Sequence, residues 1–270
     1  MIVSEEFVYL HYPKAGGTFI TSMMERVSQI YPELGIVNLK DRIHEGVRGI
    51  PRSHRDKPVV INVRHPLDLY ISRYYFAGWE TKLLSEGRAA GILEHYPDFP
   101  KIDFAQFLRL RNDWERVLPK TNSKKALLDV LIRKNIGSET NLLVGFLEEN
   151  PKAFLEKFDG MMDEEIIRKF SRIHFLFCET LNKDLFNFFC NLGLDPNRLK
   201  FIVEHDKIRP RQGRTKWGGL HRFFRAQSRR THWLEHFSED ELRWLAHRER
   251  LFFRLFPNRY GIQTKEIAGD

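Results

Sequence analysis

Apolar positions along the chain fall into short β-like runs, each followed by a stretch with helical spacing. The first run, Phe7-Val-Tyr-Leu-His11, is cut off by Pro13 and the pair Gly16-Gly17, after which Thr18 to Val27 has the periodicity of a helix. The second, Pro58-Val-Val-Ile-Asn-Val63, is continuous and apolar, as strands buried on both faces are. Arg64-His65 separates it from a helix whose first position would be Pro66, where a missing N–H costs nothing. The third, Ile173-His-Phe-Leu-Phe177, leads through Cys178-Glu179-Thr180 into an apolar helix ending near Leu192. Three strand-to-helix units predict an α/β fold around a parallel sheet.

Between about 80 and 150 the pattern turns helical, with apolar spacing in Phe104 to Leu110, Ala126 to Ile132 and Leu142 to Leu147. This region reads as a helical insertion within a single domain spanning residues 1–270. Ser238-Glu-Asp-Glu241 has capping-box spacing and opens a C-terminal helical segment predicted over about 238–256. No internal repeat interrupts the scheme.

Composition narrows the class. Of 270 residues, 42% are hydrophobic and 13% aromatic, too many for a disordered chain. Two cysteines, Cys178 and Cys190, exclude a disulfide framework and a four-cysteine zinc site. The start MIVSEEF lacks the pattern of a signal peptide, and no run reaches the roughly 18 apolar residues of a membrane span, so a cytoplasmic protein without a transmembrane segment is expected. Forty-four Lys and Arg against 36 Asp and Glu give a net charge of +8, which favours an anionic partner. Eight of those bases and no acid lie in residues 209–230. As a solvated surface, or as a site for nucleic acid or acidic glycan, that tract is one alternative reading.

A strand entering a glycine-bearing loop and then a helix aims main-chain N–H groups and the positive end of the helix dipole at one point, which suits phosphate. The Walker A order, GxxxxGK[ST], is not met, because Lys14 precedes Gly16-Gly17. This speaks against an ATP- and Mg²⁺-dependent kinase-like phosphotransferase, the other alternative. Pro13-Lys14-Ala15-Gly16-Gly17-Thr18-Phe19 instead resembles the 5′-phosphosulfate loop of the sulfotransferases that use 3′-phosphoadenosine 5′-phosphosulfate (PAPS). A second segment is similar to the family's RxPxxxxxSxY, with Arg64, Pro66, Ser72 and Tyr74 at the required offsets. A third, Arg42-Ile43-His44, stands 20 residues before Arg64, where many members carry a catalytic histidine. A fourth, Arg211-Gln212-Gly213-Arg214-Thr215-Lys216-Trp217, looks like the family's RKGxxGDWK lid, with Lys216 where aspartate is frequent.

The resemblance implies a P-loop NTPase-like sulfotransferase fold, a three-layer sandwich with a central parallel sheet. It implies PAPS as sulfuryl donor, adenosine 3′,5′-bisphosphate (PAP) as product, and no required metal or nucleic-acid partner. Lys14 and His44 would be catalytic. Lys14, Ala15, Gly16, Gly17, Thr18 and Phe19 would bind the nucleotide, with Phe19 as a stacking candidate, and Arg64, Ser72, Arg211 and Gly213 would take its 3′-phosphate. His54, which also precedes the second strand, competes with His44 for the role of base. The acceptor, a hydroxyl- or amine-bearing small molecule, lipid or glycan, is not specified by any motif. His232 and His236 share a helix face but lack a third ligand, so a surface pair is expected.

Overall fold

Parallel pairing begins where the sequence is most apolar. In the computed structural model, which describes residues 1–76, 89–113, 122–205 and 236–261, strand β2 (Val8–Leu10) lies beside β4 (Val59–Val63), with Tyr9 opposite Val60 and Leu10 opposite Ile61. β5 (Ile173–Phe177) pairs in parallel with the far side of β4, from Val59 opposite Ile173 to Val63 opposite Phe177. Two further strands, β1 (Ile2–Val3) and β3 (Val37–Asn38), add antiparallel pairs on the other edge, giving a five-stranded mixed sheet in the order β3-β1-β2-β4-β5. The parallel sheet expected from the sequence is thus its central and one lateral part. The antiparallel edge was not anticipated, because strands of two residues are too short to show alternation. Ser4 shapes the turn between β1 and β2, accepting from the Phe7 N–H and donating to the Phe7 carbonyl.

The described residues group into two compact units. The first contains the sheet and takes in Met1–Arg64, Gly145–Glu149 and 167–205. Helix α1 (Gly17–Ile30) buries Phe19, Ile20, Met23, Met24 and Val27, the i, i+3, i+4, i+7 stripe of an amphipathic helix. It ends at Tyr31, because Pro32 disfavours helical backbone in the residue before it. The stripe meets Phe7, Tyr9 and Val60 from the sheet, and Leu185 and Phe189 from a later helix, in one apolar core.

The second unit is helical. It contains α2 (Pro66–Phe76), α3 (Ala89–Leu93), α4 (Phe104–Arg111), α5 (Asn122–Arg133), the start of α6 (Ser138–Leu147), α7 (Pro151–Lys157) and the start of α8 (Asp163–Lys169). After β5 come α9 (Leu181–Asn191) and α10 (Pro196–Glu204), which belong to the first unit. α11 (Glu239–Arg248), α12 (Arg250–Leu255) and α13 (Pro257–Tyr260) complete the second. Capping boxes at Asp103/Gln106 and at Ser238/Glu241 start α4 and α11.

The sequence predicts one C-terminal helix to about Phe256, but the chain breaks at Glu249. Fully buried, its carboxylate accepts from the N–H groups of Glu139 (3.2 Å) and Thr140 (2.6 Å), the open end of α6, and from the Tyr70 hydroxyl. Glu139 in turn takes both forks of Arg73, at 2.7 and 2.8 Å. A remote carboxylate capping a helix is invisible to local pattern, hence the missed break.

Candidate functional site

The three parallel strands end, in the chain sense, at Leu10, Val63 and Phe177, so the loops that follow them leave the sheet along one edge of the first unit. In open α/β sheets this edge is where ligands bind. The loop after β2 carries the glycine motif. Lys14 and Gly16 both adopt left-handed backbone, φ 69° and 88°, which folds the loop tightly before α1. No side chain caps α1: the N–H groups of Phe19 and Ile20 return to the Gly16 carbonyl, leaving those of Gly17 and Thr18 at the open, positive end of the helix.

Close packing fixes the loop on two sides. A side chain at Gly16 would reach within 2.5 Å of Leu181 and 3.8 Å of the Cys178 sulfur, at the end of β5. At Gly17 a Cβ would stand 2.0 Å from Nε2 of His11, so the imidazole lies directly over that glycine. Beneath the loop, Asn62 of β4 is fully buried. Its Oδ1 accepts from the Tyr9 hydroxyl (2.8 Å) and the Tyr12 N–H (2.9 Å), and its Nδ2 donates to the carbonyls of Tyr12 and Ala15, each at 2.9 Å. All four bonds an amide side chain can make are thus filled, three of them by the main chain of the loop and one by Tyr9 of β2. Sequence reasoning missed Asn62, although a lone amide inside a buried apolar strand is itself a signal, since it must find partners.

Arg64 follows β4, and one of its guanidinium nitrogens donates to the Lys14 carbonyl at 3.4 Å. Two motifs 50 residues apart thus meet at the ends of neighbouring strands. His44, on a loop between β3 and β4, is exposed and sets Nδ1 3.3 Å from the His11 carbonyl, with the two rings edge to face at 5.1 Å. Burial, then the neighbouring His44 and the N-terminal ammonium, push the His11 pKa down to about 4, so His11 is neutral near pH 7. His11 was not singled out from the sequence, where it reads only as the last residue of a strand. His54 places Nδ1 2.9 Å from the hydroxyl of its neighbour Ser53 and makes no hydrogen bond or ring contact with the glycine loop.

Phe19 is 5% exposed, packed in the core of the first unit with its ring 6.1 Å from that of His205, so it is not open to a base in this structure. An aromatic residue at the first inward position of an amphipathic helix is drawn into the core by its own apolar area. Ser72 is half-buried on α2, in the second unit, where Tyr74 of the same motif packs against Phe104 and Phe107. Arg211, Gly213, the basic tract over 209–230 and His232 lie outside the described residues. Among the described residues no helix is long and apolar enough to cross a membrane. Comparisons of the chain with protein-family models, with curated proteins and with solved structures find no match.

Proposed function

We propose that the protein transfers a sulfuryl group from PAPS to an acceptor hydroxyl or amine and releases PAP, on a three-layer α/β frame of the sulfotransferase type. The observation that carries this reading is the contact between Arg64 and the main chain of Lys14, residues on the segments that follow two adjacent parallel strands. A pocket for a nucleotide phosphorylated at both 5′ and 3′ positions needs two separate anion sites a short distance apart. The glycine loop and Arg64 supply them within one unit.

In the transfer the acceptor oxygen attacks sulfur, forming a new S–O bond as the bond from sulfur to the bridging phosphate oxygen breaks. PAP leaves with that oxygen and its negative charge. The Lys14 ammonium and the N–H groups at the start of α1 neutralise the charge as it grows, and the proton of the acceptor passes to Nε2 of His44. Catalysis on this scheme is mostly positioning and charge stabilisation, as in phosphoryl transfer. Arg64 binds the 3′-phosphate through a planar fork of donors, which separates PAPS from ATP.

Thermal unfolding with PAP, against ADP and AMP, tests the assignment. A ligand at about 100 times its dissociation constant adds roughly 2.7 kcal/mol of stability, a visible rise in midpoint. A rise with PAP and none with AMP supports the reading. An equal rise with ADP and Mg²⁺ overturns it in favour of a kinase-like phosphotransferase.

A further inference from the structure

The loop that carries His44 also borders a cavity open to solvent. Between β3 and β4 the chain makes three single turns of 3-10 helix, Lys40–Arg42, Val47–Gly49 and Arg52–His54, which surround a space of about 550 Å³. Four arginines line it, Arg42, Arg48, Arg52 and Arg55, with Asp41 the only acid in the lining.

This wall is built, not merely charged. The N-terminal ammonium donates to the Arg42 carbonyl at 3.0 Å, and the Leu39 N–H to the Met1 carbonyl at 2.9 Å, anchoring one end of the loop to the sheet. Gly46 sits so close to the main chain at Gly145 and Phe146 that a Cβ would come within 2.6 Å of either residue. Arg42 spans the loop, donating to the Gly49 carbonyl at 2.9 Å. Arg48 and Arg52 do the opposite. Both residues are exposed and make no hydrogen bond or ion pair with any other described residue. Asp41, 4.0 Å from Arg42, is largely exposed, and the Glu45 carboxylate lies against Gly49 of the wall, so two acids stand near four arginines and the lining keeps a net positive charge.

Two unengaged planar forks, presented by a loop whose frame is otherwise bonded, match the geometry of a carboxylate, sulfate ester or phosphate ester. Arg42 precedes His44 by two residues, so their Cα atoms are at most about 7 Å apart and one wall of the cavity shares a short stretch of chain with the candidate base. We propose that the cavity receives an anionic oxygen group of the acceptor, and that the enzyme therefore acts on acidic acceptors. The inference rests on the sulfotransferase reading for the word acceptor, but the anion site itself does not depend on it.

The test is equilibrium binding by calorimetry with two probes, a heparin tetrasaccharide and inositol 1,4,5-trisphosphate, which separate a sulfated, carboxylated sugar from a phosphorylated headgroup. Arg48→Ala/Arg52→Ala is compared with Lys183→Ala/Lys200→Ala, which removes the same charge from exposed positions on α9 and α10. At least one probe is expected to lose affinity about tenfold or more in the arginine pair and less than about twofold in the lysine pair. Equal losses in the two variants, or no binding of either probe to the wild type, overturn the proposal. The thermal shift with PAP, measured on the same samples, is expected to be unchanged in both variants. A wild type that PAP does not stabilise, yet whose anion binding still depends on Arg48 and Arg52, removes the sulfotransferase reading and leaves the anion site standing.

Discussion

Nδ1 of His44 points at the main-chain carbonyl of His11 from 3.3 Å, and their rings meet edge to face. A carbonyl oxygen only accepts, so Nδ1 is the donor in this contact, and of the two neutral tautomers it selects the one whose lone pair is on Nε2. That is the tautomer a general base needs. His44→Ala is expected to lower turnover by about 10² or more while the PAP thermal shift persists. His54→Ala is expected to stay near wild type, since Ser53 is its hydrogen-bond partner. Turnover and thermal shift measured side by side on the two variants decide it, and the reverse pattern transfers the role to His54.

Lys14 combines a chemical role with an unusual backbone, φ 69°. Lys14→Ala and Lys14→Gly both remove the ammonium and are expected to lose turnover by about 10² to 10³. Glycine accepts the left-handed conformation without a Cβ clash, so the glycine variant should be about 1 kcal/mol more stable than the alanine one. Near-wild-type turnover in either variant removes Lys14 from the chemistry.

What was legible in the sequence follows the range of the interactions concerned. The runs over 7–11, 58–63 and 173–177 and the helix over 18–27 announce themselves by local apolar pattern, and the structure has strands over 8–10, 59–63 and 173–177 and helix α1 at those places. The glycine loop was visible because its turn chemistry is local too. Asn62, His11 and Glu249 were not, because each acts on a partner distant in the chain or across a strand pair. Phe19 shows the converse: a motif position names a residue type, while its place on the helix sends the ring into the core.

Asn62 should be among the least replaceable residues of the first unit. Asn62→Asp keeps the shape but turns two donors into acceptors that face the carbonyls of Tyr12 and Ala15. A loss of about 3 kcal/mol in urea unfolding is expected, together with the PAP shift. Tyr9→Phe removes one bond only, and Oδ1 of Asn62 keeps the Tyr12 N–H, so about 1 kcal/mol is expected. Equal costs for the two variants contradict the assignment of Asn62 as the clamp of the loop.

The contact of His11 with Gly17 can be isolated by a double-mutant cycle. An added Cβ at Gly17 meets the imidazole at 2.0 Å, so Gly17→Ala is expected to cost about 2 kcal/mol. With His11→Ala in the background the clash disappears, and a coupling of at least about 1 kcal/mol should appear in the unfolding free energies. Additive costs would locate the strain in the loop backbone instead.

His11 and Glu249 give stability opposite slopes with pH. Burial, then His44 and the N-terminus, lower the His11 pKa from 6.5 to about 4. Between those values the unfolded chain binds more protons than the folded one, so stability contributed by neutral His11 is lost as pH falls through the window. Burial, then the neighbouring Glu139, raises the Glu249 pKa from 4.5 to about 7. Here the folded state keeps a proton that the unfolded state has released, so the contribution is complete below 4.5 and is lost as pH rises towards 7. From about pH 4.5 to 6.5 the two trends oppose each other. Relative to wild type, His11→Gln should therefore become less stable as pH rises through this window, and Glu249→Gln more stable. Each slope is bounded by about 1.4 kcal/mol per pH unit and is smaller for the partly open His11. Urea midpoints near pH 5, 6 and 7 measure both, and parallel pH profiles for the two variants would show that neither group titrates as its burial requires.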